Sequence, residues 1–527
     1  MKLNYKRTVL VGFAFFLISA FWQSYDTIVP KILTERFGIS QTVSGIIMAL
    51  DNVLALFLLP LFGIISDKCK SKLGRRTPFI LIGTIIAACT FISLSFVDGA
   101  QLKKIDAVAD VDSQEVRQIL YDYDYGDEPV LTPSGDKFFP AEKFTEEAFL
   151  AIETYGEDGK ATDDYTNYVV PTRQAYIYRE ITSNDPSSLI LFIAVLFFLL
   201  LAMATFRTPA VSLMPDVTPK PLRSKGNAII NLMGTLGGSL ILGVGILLGT
   251  GSVKNTFMGY TSYFIIVGAI MLICLTVFML TVKEKRFVSD MEEQSRQMGI
   301  DESATQTASG DRKLSRGELR SLILILSSVV LWFFGYNAVT SKYSVYAGQV
   351  LNLDYNTTLL VANIAALIAF IPVGIIASKI GRKKSIMAGV VMLSTAFFVA
   401  SFLRNGTPLW VMTMIFVLAG VGWATINVNS FPMVVELARG GDVGKYTGFY
   451  YTASMAAQTL TPVLSGIVID NFGMDKLFPY ATVFAALALV TMFFVKHGDS
   501  IPGKRGLLDS LADAEELVED EKRQVEE

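Results

Sequence analysis

Two carboxylates stand inside otherwise apolar stretches of the chain, Asp26 and Asp51. An acid at mid-bilayer depth costs about 2.5–3.5 kcal/mol on insertion scales. The chemistry suited to such a group is uptake of a proton or cation, or acceptance of a hydrogen bond from a solute. Ser19, Trp22 and Asp26 share one helical face by their spacing. Around them in sequence lie amides and aromatics that could bind a hydroxyl-rich solute: Trp22, Gln23, Asn52, Asn227, Asn231, Tyr336, Asn337, Trp423, Asn427 and Gln458. Amide dipoles accept and donate to hydroxyls, and aromatic faces stack on C–H surfaces. A blander reading competes for each. The amides could make interhelical hydrogen bonds worth about 0.6 kcal/mol on average. The acids could serve as caps or pair with Lys31, Arg36 or Lys342.

The elements that would carry these groups follow from composition. The chain has 527 residues, 52% hydrophobic and 18% charged, with a mean hydropathy of +0.46. A soluble domain carries about 25% charged residues. These values exclude a disordered chain and a nucleic-acid binder. Three cysteines cannot frame a disulfide fold, and a single histidine, His497, excludes sites built on several His ligands. No cofactor or metal is expected. Twelve stretches approach the roughly 20 apolar residues that a spanning helix needs: 8–32, 41–65, 77–97, 189–208, 226–249, 259–281, 320–341, 357–378, 385–403, 408–437, 446–469 and 478–496. The expected class is an all-α polytopic membrane protein, in contact with lipid.

Charge orients it. With the N-terminus inside, 31 of the 45 Lys and Arg fall on that side, and only 6 lie in the short outer loops. This is the positive-inside pattern, so both termini are expected in the cytoplasm. Residues 98–188 are different: 20 acids against 8 bases, a net of −12, with eight of the 20 tyrosines. They read as an ordered extracellular cap. Residues 287–319 read as a cytoplasmic linker and 497–527 as a charged cytoplasmic tail ending in a short surface helix. The units are then 1–97 with 189–286, and 320–496. Arg207 sits barely inside the fourth span, as a base near Asp216 that could also be a snorkelling anchor. Tyr343 and Tyr346 read as aromatics of an interface belt.

The two halves repeat. GIISDKCKSKLGRR begins at Gly63 and GIIASKIGRKK at Gly374, an offset of 311. PAVSLMPD ends at Asp216 and NSFPMVVE at Glu436, an offset of 220. The difference, 91, is the length of 98–188, so one insertion into a duplicated six-helix unit accounts for both. Parallel six-plus-six repeats are the plan of major-facilitator transporters, with a site between the halves near the midplane. Gly63, Asp67, Lys68, Gly74, Arg75 and Arg76, with Gly374, Gly381 and Arg382 in the second half, read as a gating motif. Asp67 can accept from a facing Arg or helix N-terminus in one conformation. The bland alternative is a basic loop that only sets topology.

The stretch Ser66–Ile80, SDKCKSKLGRRTPFI, resembles the loop after the second helix in sucrose-transporter-like proteins and the related glycoside–pentoside–hexuronide:cation symporters. Thr208–Gly238 is similar to that family's turn between helices 4 and 5. The resemblance implies a major-facilitator fold, a sugar or glycoside as solute, and a role in transport for Asp216. Melibiose-type members carry paired acids in the second helix, one just before a Pro. Here Leu59 precedes Pro60 and Ala55 lies one turn back, so ion coupling is expected at Asp26, Asp51 and Asp216 instead.

The expectation is a monomeric secondary transporter of the plasma membrane, moving a sugar or glycoside with a proton or cation by alternating access. An exporter, or a symporter of another organic solute, is the nearest alternative. A non-transporting receptor or scaffold is the alternative from another class. No nucleophile–base constellation supports an enzyme.

Overall fold

The computed structural model describes residues 4–157, 159–219, 222–297, 315–435, 437 and 443–497. Glu436 and the 497–527 tail beyond His497 lie outside them, as does most of the 287–319 linker.

Among the described residues the chain is helical apart from one hairpin of two short strands. Its first half contains α1 (Tyr5–Lys31), α2 (Gln41–Asp67) and α3 (Thr77–Lys104). The insert follows, with α4 (Gln114–Asp122), β1 (Val130–Leu131), β2 (Lys137–Phe138), α5 (Pro140–Lys143), α6 (Glu146–Leu150) and α7 (Val170–Tyr176). The half then closes with α8 (Ser187–Asp216), α9 (Arg223–Leu248), α10 (Thr261–Thr281) and a polar helix, α11 (Glu284–Gln297). The second half is α12 (Arg316–Tyr346), α13 (Tyr355–Ile380), α14 (Arg382–Ala400), α15 (Leu409–Val435), α16 (Val443–Phe472) and α17 (Leu477–Phe493). Among the described residues, eleven helices are long and apolar enough to cross a membrane. The helix at the eighth expected span, α13, has an apolar stretch from Tyr355 to Phe370.

Starts and stops follow local chemistry. Asn4, Ser40 and Asp354 cap α1, α2 and α13 with side-chain oxygens, and Ser315 with Glu318 forms a capping box on α12. Six of the long helices contain Pro in their interior, including Pro209 and Pro215 in α8. Membrane-spanning helices accept such breaks because neighbouring helices satisfy the freed carbonyls. Both α1 and α12 run on into a π-turn at matching places, Ile32–Arg36 and Ala347–Leu351, so the internal repeat reaches the backbone geometry.

Each half buries its own apolar core. One core runs from Val11 to Val282 and includes Phe21, Phe91 and Phe264; the other runs from Leu322 to Val495 around Trp332 and Phe478. Tyr343 and Tyr346 belong to the second core, fully buried, and not to an interface belt. The insert has its own apolar centre of Ile105, Val116, Leu120, Phe149, Tyr165 and Val169, so it is a packed unit. The segment after α10 begins as the helix α11 where a linker was expected, and Arg7 pairs with Asp290 on it.

The halves meet at the end that bears the insert. Gly45 lies so close to α16 that a Cβ would overlap the Pro462 carbonyl, 2.6 Å from its carbon. Asp470 accepts from the Gln41 and Thr42 backbone N–H groups at 2.8 and 2.7 Å, and Lys342 donates to Gln41 O at 2.6 Å. Thr250 at the end of α9 binds Tyr355 Oη and Asn356 Nδ2 at 2.9 and 3.0 Å. Toward the opposite end the side chains of Asn227, Asn231 and Tyr451 are exposed.

Candidate functional site

Arg207 lies well within α8, nine residues before the helix ends at Asp216, and so is not an anchor at the membrane surface. Its guanidinium carbon sits 5.1 Å from the Trp22 ring centroid. It lies in Coulombic range of both Asp26 and Asp51, and the two acids are in range of each other. Asp51 also accepts from Asn52 Nδ2 at 2.7 Å. The three other bases weighed as partners are engaged elsewhere. Lys31 donates to Thr250 O at 3.1 Å, Arg36 holds Asp98 at 2.8 Å, and Lys342 binds Gln41 O. Helices α1, α2 and α8 therefore bring together two acids and one guanidinium, all partly buried. Their net charge with every group ionised is −1.

Aromatic faces flank this group. Trp22 meets Tyr25 edge-on at 5.3 Å, and the Trp22 Nε1–H is buried without a partner. From the second half, Tyr336 on α12 stacks flat on Trp423 of α15, 3.6 Å between centroids and 2° between planes. Phe333 supports Trp423 edge-on at 5.5 Å. Tyr336 is in Coulombic range of Asp26, so the aromatic pair of one half lies near an acid of the other. Asn337 adds a buried Nδ2 without a partner. Gln23 accepts from Asn363 Nδ2 at 3.3 Å across the halves. Gln458 on α16 is half-buried, while Asn427, Asn227 and Asn231 are exposed, the last two on α9 toward the open end. Among the described residues no cluster of His, Cys, Asp and Glu could hold a metal ion.

The gating-motif residues form a second site at the end opposite the insert. Arg76, at the start of α3, bridges α2 and α8: it pairs with Asp67 at the end of α2, its Nε donates to Asp216 at the end of α8 at 2.9 Å, and its Nη1 donates to Ser66 Oγ of α2 at 2.5 Å. Arg75 adds a second bond to Asp216 at 2.7 Å. Lys68 is the C-cap residue of α2. Gly63 passes Thr208 with room only for a Cβ contact of 3.2 Å. Glu284, after α10, is the residue that sequence reasoning missed. Its carboxylate accepts from the backbone N–H groups of Arg75, Arg76 and Thr77 at 2.8–3.0 Å and from Thr77 Oγ1 at 2.7 Å. Gly74 has φ +125°, and a Cβ there would overlap the Glu284 carboxylate and lie 2.8 Å from Glu284 Cβ. A signal for Glu284 exists in the sequence: Arg-Arg-Thr-Pro starts a helix with no capping side chain of its own, so an outside acceptor is needed.

The second-half copy differs. Gly381 has φ +94° between α13 and α14, and Arg382 is the first residue of α14. A Cβ added at Gly374 would meet no described atom within 4 Å, so nothing among the described residues packs closely on it. Lys383 binds the Phe493 and Val495 carbonyls at 2.9 and 2.6 Å, anchoring α17.

Comparison with known proteins agrees with this architecture. The Major Facilitator Superfamily profile matches residues 176–439 and 359–512, and the MFS/sugar transport protein profile matches residues 10–101. The chain belongs to the Major Facilitator Superfamily, a family of multi-pass membrane transporters. It is 41% identical over 62 residues to the sucrose transport protein SUC3 of Arabidopsis thaliana, covering 12% of this chain and 10% of that protein. It is 37% identical over 62 residues to the sucrose transport protein SUT3 of Oryza sativa subsp. indica, 12% of each. The matched segment thus spans about a tenth of these relatives' length. Among solved structures, the inward open conformation of the xylose transporter XylE from E. coli aligns with a TM-score of 0.55 at 13% identity, over 95% of this chain and 98% of that one. At that identity the likeness is one of fold.

Proposed function

We propose that the protein is a proton-coupled symporter of a sugar or glycoside, working by alternating access as a monomer in the plasma membrane. In this reading the insert is extracellular and both termini are cytoplasmic. The charge bias of the loops supports that orientation. The contacts at the insert end and the exposed amides at the other then describe a state open to the cytoplasm.

The observation that carries the reading is Arg207 within Coulombic range of both Asp26 and Asp51, beside Trp22. Two acids and one guanidinium leave a single negative charge. One proton removes it, and a neutral site crosses the closed, desolvated state at far lower cost than a charged one. We assign the proton to Asp51 and a solute hydroxyl to Asp26, because Asp26 is the acid in range of Tyr336 on the other half. The solute would then lie between the Trp22 face and the Tyr336–Trp423 pair. Bridging both halves, it favours the closed intermediate by its differential contacts.

The test is uptake of labelled mono- and disaccharides into proteoliposomes with and without an inward proton gradient. Gradient-driven accumulation by the wild type is expected. Asp51→Asn is expected to exchange solute across the membrane without accumulating it. Wild-type uptake that ignores the gradient would overturn the coupling, and absence of any sugar binding would overturn the solute class.

A further inference from the structure

The insert carries a net charge of −12, yet its interior holds two buried guanidinium groups that no carboxylate among the described residues pairs with. Arg173 on α7 is 3% exposed. Its hydrogen bonds go to neutral acceptors, Tyr165 Oη at 3.2 Å and Asp110 O at 3.4 Å, and its Nε has no partner. Arg117 on α4 is 5% exposed and bonds to Leu150 O and Thr154 Oγ1, with its Nε also unpartnered. Burial disfavours the charge on Arg117, and the like charge of Arg173 adds to that; Asp112 opposes both from a distance, without a bond. A buried cation without a paired counter-charge is strongly unfavourable unless something anionic reaches it.

Arg173 lines a cavity of about 40 Å³ at the seam of three bodies. The insert contributes Arg173 and Gln174, whose Nε2 is another donor without a partner. The first half contributes Lys31, Glu35 and Ser252, and the second half contributes Gln349. Lys31 and Glu35 come from the π-turn region of α1, and Gln349 from the matching π-turn after α12. Lys31 and Glu35 face each other one turn apart at 3.7 Å and offset each other's charge. Arg173 is then the cation of the wall without a carboxylate partner, its guanidinium set over the Phe257 and Tyr165 rings at 5.5 and 6.0 Å. At about 10–15 Å³ per water-sized volume, the space suits two to four waters or one small ion, and not a sugar.

We propose that this seam cavity binds a small monovalent anion, a halide or a short carboxylate, on Arg173 and Gln174. The site is distinct from the central group of Asp26, Asp51 and Arg207. Its walls come from both halves and the insert, so an occupant bridges the three in the conformation described here and is lost when they part. The insert reaches the second half by other bonds as well. Ala161 O accepts from Asn352 and Asn405 at 2.8 and 3.2 Å, and Pro133 O accepts from the Asp475 N–H at 3.0 Å. The anion would act with this clasp, favouring closure of the insert end.

The test is thermal unfolding of the purified full-length protein in sodium chloride, sodium formate or sodium gluconate titrated at constant ionic strength. Gluconate is the control, being too large for the cavity. Binding to the folded state raises the midpoint by mass action. A saturable rise in chloride or formate, absent in gluconate, is expected. Arg173→Gln should weaken half-saturation by about tenfold or more. Ser252→Phe, which keeps both arginines and fills the cavity from its rim, should abolish the rise. Equal midpoints in the three salts overturn the site even if neither variant folds. A chloride or formate response unchanged in either variant overturns its location.

Discussion

Asp470 near the end of α16 holds the N-terminus of α2 across the boundary between the halves, taking the Gln41 and Thr42 N–H groups at 2.8 and 2.7 Å. The contact is a helix cap supplied in trans. It joins a charged acceptor, two otherwise unpaired donors and the positive end of a helix dipole. It exists only while the insert end is closed, so its free energy belongs to one conformation and not to the fold. Replacing a cap costs about 0.5–2 kcal/mol, or about a 2- to 30-fold change in an equilibrium. Asp470→Ala is therefore expected to open the insert end more often. A cysteine placed at Gln458, in a background lacking the three native cysteines, should be alkylated from that side faster by a factor in this range. An unchanged rate would show that the cap does not bias the gate.

Arg207 is expected to be needed because it is the cation in Coulombic range of both acids. Removing one member of a buried charge group while the others stay costs about 3–5 kcal/mol when burial is complete. Arg207 is only partly buried, so the lower part of that range or less applies. Arg207→Gln should lower the thermal midpoint and abolish accumulation. The double variant Arg207→Gln, Asp26→Asn should recover much of the stability but not the coupling. Additive losses in the double-mutant cycle would mean that the two groups do not interact.

Glu284 closes the account of backbone donors at the start of α3. Glu284→Ala strips the Arg75, Arg76 and Thr77 N–H groups of a buried acceptor, and each group left unmet costs about 1–3 kcal/mol. The expected result is a clear fall in the thermal midpoint with membrane insertion intact. Glu284→Gln, which keeps one acceptor oxygen, should fall less. If both variants melt with the wild type, the carboxylate is not what orders the loop from Lys68 to Arg76.

Much of this architecture is legible in the residues alone. The duplicated motif at Gly63 and Gly374 and the 91-residue difference in offsets locate the repeat and the insert. The apolar runs place nearly every span. Pairing is what the chain does not spell out. Arg207 has the look of a surface anchor because the apolar run ends at 208, whereas α8 continues to Asp216 through Pro209 and Pro215. A membrane helix keeps its course past Pro when neighbours satisfy the backbone, which hydropathy does not encode. That Asp67 needs an arginine follows from its charge, but the choice of Arg76 depends on Gly74 turning the loop at φ +125°. Tyr343 and Tyr346 have the composition of a lipid-interface pair. Only the packing of Phe416 and Phe478 against them, with rings 4.7 and 4.9 Å away, makes them core.

Gly45 gives the sharpest test of alternating access in this chain. Its Cα faces the α16 backbone with no room for a Cβ, which would overlap Pro462 O and sit 2.6 Å from the Pro462 carbonyl carbon. Both neighbours are main chain and cannot step aside as a flexible side chain would. An indole at this position cannot coexist with the closed insert end, because the three atoms nearest a Cβ there all belong to the α16 backbone of the other half. Gly45→Trp should therefore fold, insert and bind solute from the insert side, while net transport stops. The combination separates a conformational lock from a damaged site. A variant that still transports would mean that α2 and α16 do not need to meet, and a variant that binds nothing would mean that the change reached the Asp51 region further along α2.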